Sequence, residues 1–395
     1  VGTATSESVV IIGAGQAGIT LATTLRERGW AGTIHLVGDE HRLPYQRPPL
    51  SKGYLSGTDG ESDLHLSSTA ALRRANIDYR PGLVVERLDT SARVAFLERG
   101  MAIEYSTAVF ATGAAARPLP LPGRELQGVH TLRTVSDSDA LRRSLAESHD
   151  IVIIGGGFIG LEIASVAPPD TSVTVLEGHE RILLRSVSEP IAKRLTRIHQ
   201  ARGVRIVTGA NILALEGEKR VARVRLGDAA LSADLVLIAV GAEPNTYVAR
   251  RSGLDVDGGI VVDENLRTQE PTVFAIGDCA RFPNQYVGTT TRLESVQNAT
   301  DQARYVASVI LGEEEGPYRA LPWFWSHQGG VNLQVAGLSV HSDTAEVVAD
   351  DGTALTVHRL RNNTVVAVET IDNPRAHVQA RRSLAVDTEQ LAPSS

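Results

Sequence analysis

The chain has 395 residues, enough for two or three domains with a sizeable core. Its 39 Lys and Arg against 46 Asp and Glu leave a net charge of −7 without a long basic run, which argues against nucleic acid as a partner. No apolar run reaches membrane-span length and the first ten residues lack a secretory pattern, so the expected location is the cytoplasm.

The chain opens on VVIIGAGQAGIT at residues 9–20. Val9–Ile12 reads as a strand, Gln16–Arg28 as a helix and Thr33–Val37 as a second strand, a βαβ unit of about 30 residues. Between strand and helix stand Gly13, Gly15 and Gly18, spaced G-x-G-x-x-G. The first glycine makes a tight turn, the second admits a pyrophosphate to the backbone, and the third lets helix and strand pack closely. Helix N–H groups then face the anion. Asp39 and Glu40 follow the second strand, where a carboxylate can meet an adenosine ribose. LPYQRPPLSKGYL (43–55) reads as a loop stiffened by Pro44, Pro48 and Pro49. It is either a solvated surface loop or a rigid support presenting Lys52 to a ring system that needs a cation. Val109–Ala114 is an apolar strand ending at Gly113.

At 151–162 the chain writes IVIIGGGFIGLE, the same fingerprint with Gly155, Gly157 and Gly160. Pro168-Pro169 interrupts its helix, and its second strand, Ser172–Leu176, ends at Glu177. A helix at Ser188–Arg202 and a strand at Val204–Val207 follow, and Leu237–Ala242 runs into Gly241 as its counterpart runs into Gly113. The repeat predicts two homologous nucleotide-binding domains, the second inserted in the first. In VFAIGDCA (273–280) a strand ends at Gly277-Asp278. Asp278 is a turn or cap residue in isolation; beside two fingerprints it is better read as an acceptor for a cofactor hydroxyl. Cys279, the only cysteine, excludes an internal disulfide, a C-x-x-C pair and a zinc site, so redox chemistry here needs a cofactor. No metal-ligand cluster is expected.

Beyond Pro317 the fingerprint is lost. Trp323 and Trp325 fall on one face of a strand, one as core and the other free to flank a ring. Strands at Thr356–Leu360 and Val365–Thr370 and a helix near Arg375–Ala385 complete a small α+β domain. The expected class is α/β: two Rossmann-like domains, 1–115 with 245–316 and 116–244, plus a C-terminal domain at 317–395.

As an ordered set, VVIIGAGQAG, PYQRPPLSK, ATGAAARPLPLPG, TLRT, VIIGGGFIGLE, VTVLE, VGAEPN, VFAIGDCARF, RLESVQNA, QAR and PWFWS resemble the flavin-dependent ferredoxin reductases of the putidaredoxin-reductase type. These belong to the pyridine-nucleotide-disulfide reductase fold group. The resemblance implies FAD in the first domain and NAD(P)H in the second. FAD would be held by Gly13, Gly15, Ala17, Gly18, Asp39 and Glu40, and by Arg47, Pro48 and Lys52. Val85, Ala111, Thr112, Gly113, Arg117 and Arg133 would continue that set. Gly277, Asp278, Ser295 and Val296 would complete it, with Trp325 near the isoalloxazine. Lys52 and Glu162, the implied catalytic pair, would meet at the flavin's reactive edge.

NADH would use Gly155, Gly157, Phe158, Ile159, Gly160, Glu162, Glu177, Arg185 and Gly241. Glu177 argues for NADH over NADPH, with His179, Arg181 and Arg185 close enough in sequence to oppose it. The implied reaction carries electrons from NADH to a [2Fe-2S] ferredoxin that feeds a cytochrome P450 or Rieske oxygenase. Arg304 is the leading docking residue, Arg73 and Arg74 are lesser ones, and a monomer is favoured. Rival readings are the same flavoenzyme with rubredoxin, a quinone, monodehydroascorbate or oxygen as acceptor, or a non-catalytic NADH-sensing flavoprotein. One departure stands beside the flavin: Trp325-Ser-His327-Gln replaces the more common W-S-D-Q.

Overall fold

The computed structural model describes residues 7–227, 229–313, 316–341 and 343–390. The chain forms two compact units. One contains residues 1–46, 64–115 and 243–322; the other contains 47–63, 116–242 and 323–395.

In the first unit a wholly parallel sheet runs Val273–Ala275, Thr107–Phe110, Ser8–Ile12, Thr33–Gly38, Ile77–Pro81. Val9, Val10 and Ile11 are fully buried, as the unbroken apolar run requires of a strand covered on both faces. Helix Gln16–Glu27 packs against helix Val296–Leu311 on this sheet. A three-stranded antiparallel sheet, Val85–Asp89, Val94–Leu97 and Ala102–Glu104, was not legible in the sequence, because its strands are short and cut by turns.

The second unit repeats the parallel sheet: Arg205–Val207, Ser172–Leu176, Asp150–Ile154, Leu235–Ile238, Val129–His130. Its fingerprint helix, Phe158–Val166, stops at Ala167, just before the Pro168-Pro169 pair that cannot continue it. The C-terminal segment contributes a five-stranded antiparallel sheet in the order Trp323–Gln328, Val331–Gly337, Thr364–Ile371, Leu355–Arg361, Thr344–Asp350. Leu161, Ile191 and Leu195 share one buried cluster with Leu333, Val357 and Ile371, so this sheet and the nucleotide-binding part have a common core.

The stretch 43–55 is not a plain loop. Pro48–Ser51 forms a 3-10 turn and Gly53–Ser56 a helical turn. Ser138 Oγ donates to the Leu50 carbonyl at 2.9 Å and Tyr54 Oη to Asp139 at 2.8 Å, fastening it to helix Val135–Glu147. The strands before Gly113 and Gly241 also end early, at Phe110 and Ile238; both glycines then take positive φ, 64° and 105°.

Candidate active site

The two glycine turns have the same build. Gly13 and Gly155 sit at φ 112° and 111°, and a Cβ on either would stand 2.2 or 2.3 Å from the carbonyl oxygen of Ala111 or Ala239. A Cβ on Gly18 would meet the Gly13 carbonyl at 1.9 Å, and one on Gly160 the Gly155 carbonyl at 2.3 Å. Only glycine fits these places. Gly15 and Gly157 differ: a Cβ there meets nothing within 4 Å. Each is the N-cap of its helix, no side chain caps it, and the first turn carries no acid. Free N–H groups over open space, at the positive end of a helix, make a seat for a pyrophosphate.

Around the first turn, Ala17 is buried against Gly277, whose N–H donates to Gln302 Oε1 at 2.7 Å. Gln302, fully buried, escaped the sequence reading because it lies inside a regular helix, 25 residues from the turn it holds. Asp278 follows, half-buried, and its carbonyl accepts from Arg292 at 3.0 Å. Ser295 caps helix Val296–Leu311 by accepting from the Asn298 N–H. Thr112 Oγ1 donates to the Asn245 carbonyl at 2.7 Å, and Asn245 returns its amide to the Thr112 carbonyl at 2.9 Å, so the Ala111–Gly113 corner is rigid. Asp39 is exposed, Glu40 accepts from Tyr45 Oη at 2.7 Å, and Val85 is buried.

At the second turn, Glu177 faces the glycines directly. It accepts from the Gly156 N–H at 2.8 Å and from the His179 N–H at 2.9 Å, and His179 Nδ1 lies 3.0 Å away. Arg181 spends its guanidinium on the carbonyls of Leu184 and Val187, whereas Arg185 is exposed. Phe158 packs edge-on against Phe324 at 4.9 Å, while Ile159 is 40% exposed beside the cradle. Arg117 donates its N–H to the Gly241 carbonyl at 2.9 Å.

The second unit also holds the Lys52–Glu162 pair, at 2.7 Å. Glu162 is buried and fully engaged: Oε2 accepts from Lys52 and from Ser51 (2.5 Å), Oε1 from Ser326 (2.6 Å). A buried carboxylate needs such company, since losing one partner costs about 3–5 kcal/mol. Lys52 also donates to the Pro48 carbonyl at 3.2 Å, and Arg47 to the Arg133 carbonyl at 2.6 Å. Strand alternation puts Phe324, Ser326 and Gln328 on the inward face and exposes His327. Trp323 and Trp325 share the other face, ring centroids 5.5 Å apart. Trp323 is the one covered by the C-terminal helix, through Arg381 and His377. Cys279 is buried, and burial pushes its thiol up, away from redox reactivity.

Paired Rossmann units with open cradles, one buried thiol and a lysine held by a buried glutamate define an oxidoreductase that works through two bound nucleotides. Residues 7–303 match the pyridine nucleotide-disulphide oxidoreductase family and 323–394 the reductase C-terminal family; the chain belongs to the former and carries the latter as its C-terminal part. It is 41% identical to the rhodocoxin reductase of Rhodococcus erythropolis, over 96% of this chain and 90% of that one. A rubredoxin-NAD(+) reductase of Pseudomonas putida is 37% identical over 93% of this chain and 96% of its own. The structure superposes on the reductase of the covalent putidaredoxin reductase–putidaredoxin complex with a TM-score of 0.93 and 36% identity, covering 97% of this chain and 94% of that one. FAD and NAD(H) are the cofactors of this family of oxidoreductases, and both uncapped glycine cradles fit a dinucleotide. No described helix is long and apolar enough to cross a membrane.

Proposed function

We propose that this protein is a cytoplasmic NADH-dependent reductase of a small [2Fe-2S] ferredoxin that feeds a cytochrome P450 or Rieske oxygenase. In this reading residues 1–115 and 245–316 hold FAD, 116–244 hold NADH, and 317–395 form the C-terminal domain. FAD held at Gly13, Gly15 and Gly18 would supply the hydride-accepting and one-electron chemistry that links NADH to a one-electron acceptor. The chain positions and charges the site. Gly13, Gly15 and Gly18 seat the FAD pyrophosphate, and Asp278 accepts from a cofactor hydroxyl. Gly155, Gly157 and Gly160 seat that of NADH, and Glu177 takes the adenosine ribose. Lys52 supplies a cation at the ring, oriented by Glu162, and Trp325 flanks the ring.

The observation that carries the reading is the pairing of half-buried Lys52 with buried Glu162, on a chain with two open pyrophosphate seats. The acceptor follows the chemistry named for the relatives, a ferredoxin in the putidaredoxin complex and a rubredoxin in the second reading. Arg304, exposed on helix Val296–Leu311, is the docking residue proposed for an acidic partner, ahead of the exposed Arg73 and Arg74, on a monomeric enzyme.

The test is a yellow protein with one non-covalent FAD, bleached anaerobically by NADH and turning over with a [2Fe-2S] ferredoxin. Turnover should fall with salt and with Arg304→Glu. A protein that stays colourless after reconstitution with FAD sinks the flavin reading; faster turnover with rubredoxin selects the second acceptor.

A further inference from the structure

Glu162 is the near end of a line of side chains that runs through the second unit to a buried histidine. Ser326 Oγ donates to Glu162 Oε1 at 2.6 Å, Gln328 Nε2 donates to Ser326 Oγ at 3.1 Å, and His199 Nε2 lies 3.1 Å from Gln328 Oε1. Ser326, Gln328 and His199 are all buried, His199 completely. The carboxylate sets the polarity of the line. It only accepts, so Ser326 spends its proton on it; the Ser326 oxygen then accepts from the Gln328 amide, and Oε1 of Gln328 is left to accept from His199. His199 therefore carries its proton on Nε2. Burial holds its ring below the usual range, with Gln328 opposing this and Arg202 adding to it. Nδ1 is left a bare, buried acceptor with no hydrogen-bond partner among the described residues.

The support is shared with the helix that carries Glu162. The Gly329 N–H, next to Gln328, donates at 2.7 Å to Ser165 Oγ on helix Phe158–Val166. On the other side of the carboxylate, Oε2 holds Lys52 and Ser51. Turning the carboxylate plane breaks both sets at once, so whatever fixes Oε1 also fixes the ammonium.

We propose that Ser326, Gln328 and His199 are positioning residues: they lock the Glu162 carboxylate from behind and so hold the Lys52 ammonium in its working place. This rests on the reading of Lys52 as the cation at the flavin.

Three readouts on the FAD-loaded enzyme test it. Imidazole 15N spectra should show His199 as the neutral Nε2–H tautomer; the Nδ1–H tautomer would overturn the line. His199→Leu and Gln328→Met should slow anaerobic flavin reduction by NADH roughly three- to tenfold with the Kd of NADH unchanged. His199→Gln, whose amide can donate to Gln328, should restore the rate. In a Lys52→Met background the same substitutions should have no further effect, because the cation they position is gone. Wild-type reduction rates in both variants, or losses that multiply in full with that of Lys52→Met, would overturn the proposal. Where His199→Leu fails to fold, Gln328→Met and Ser326→Ala cut the line nearer the carboxylate. An unchanged rate in Lys52→Met itself would defeat the flavin-edge reading, a failure distinct from that of the line.

Discussion

Gly38 and Glu177 hold the same place beside two parallel sheets that share the order of four of their five strands. Gly13 donates its N–H to the Val37 carbonyl and Gly155 to the Leu176 carbonyl, each at 2.8 Å, so the next residue along each second strand is Gly38 in one unit and Glu177 in the other. What faces that position is swapped. In the first unit the turn has Ala14, and a Cβ on Gly38 would stand 2.8 Å from its methyl. In the second unit the turn has Gly156, and the space an alanine would fill is taken by Ile182, whose Cγ2 would be 2.9 Å from the added Cβ, and by Glu177, whose Oε2 would be 3.1 Å from it. A side chain fits on one side of the contact only. The second turn therefore has a carboxylate at the glycines, while the first leaves its acids, Asp39 and Glu40, one and two residues further on. The same turn thus has a methyl facing a glycine in one unit and a glycine facing a carboxylate in the other.

The largest expected effect breaks what the turns share. Gly18→Ala drives a methyl to 1.9 Å from a backbone oxygen that cannot move aside, and Gly160→Ala to 2.3 Å. Both should cost about 3 kcal/mol or more in urea unfolding, Gly18→Ala the more. Gly15→Ala and Gly157→Ala, directed into open space, should fold normally and weaken FAD and NADH binding respectively; equal losses of stability at all four positions would refute the distinction.

Acid should separate the two units next. His377 is buried in the second unit, and burial, with Arg381 adding to it, lowers its pKa from 6.5 to about 4. Between those values the unfolded chain holds more protons than the folded one, so stability falls as the pH falls from 6.5 to 4 and is unaffected above. The loss from this one group is on the order of 3 kcal/mol. His377→Leu should flatten the decline in chemical denaturation at pH 4.5 relative to pH 7; an unchanged slope would show that the ring is not titrating as a buried base. His35 in the first unit is paired with Asp78 at 2.7 Å, whereas neither ring nitrogen of His377 has a hydrogen-bond partner among the described residues.

Coenzyme choice is a smaller effect. A 2′-phosphate about 4 Å from Glu177 would cost on the order of 4 kcal/mol at an effective dielectric near 20, and solvent at the strand end reduces this to a preference for NADH of roughly tenfold or more. Glu177→Ala should narrow the preference by weakening NADH, and Glu177→Arg should reverse it. Comparable kcat/KM for the two coenzymes in the wild type would remove Glu177 from this role. The smallest effect tests the swap itself. Gly38→Ala should cost about 1–2 kcal/mol, and Ala14→Gly in the same chain should recover most of it. Full additivity would mean that the two positions do not compete.

The fingerprint turns were legible because their requirements are local. Each needs a β-branched strand, glycines where φ is positive or a carbonyl stands 2 Å away, and a helix opening within a few residues. The inner strands of the two sheets follow for the same reason, with ends shifted where Gly113, Gly241 and Gly277 turn the chain; the edge strands Ile77–Pro81 and Val129–His130 carried no such signal. Antiparallel strands such as Val331–Gly337 and Thr344–Asp350 carried no comparable signal; the latter is exposed along its whole length, so no alternation marks it. The pairing of Lys52 with Glu162, 110 residues apart, came from resemblance and not from spacing. Ser51, Ser326, Gln328 and His199 had no signal at all. A serine, a glutamine or a histidine in sequence reads as surface or core alike, and only the packing of the C-terminal sheet against helix Phe158–Val166 and helix Glu189–Ala201 brings them into line. By itself the sequence determined where the two glycine turns stand, because that depends on backbone shape within a turn. Tertiary structure alone decided how the buried carboxylate between Lys52 and His199 is held, because a charge taken out of water must find its donors wherever the fold delivers them.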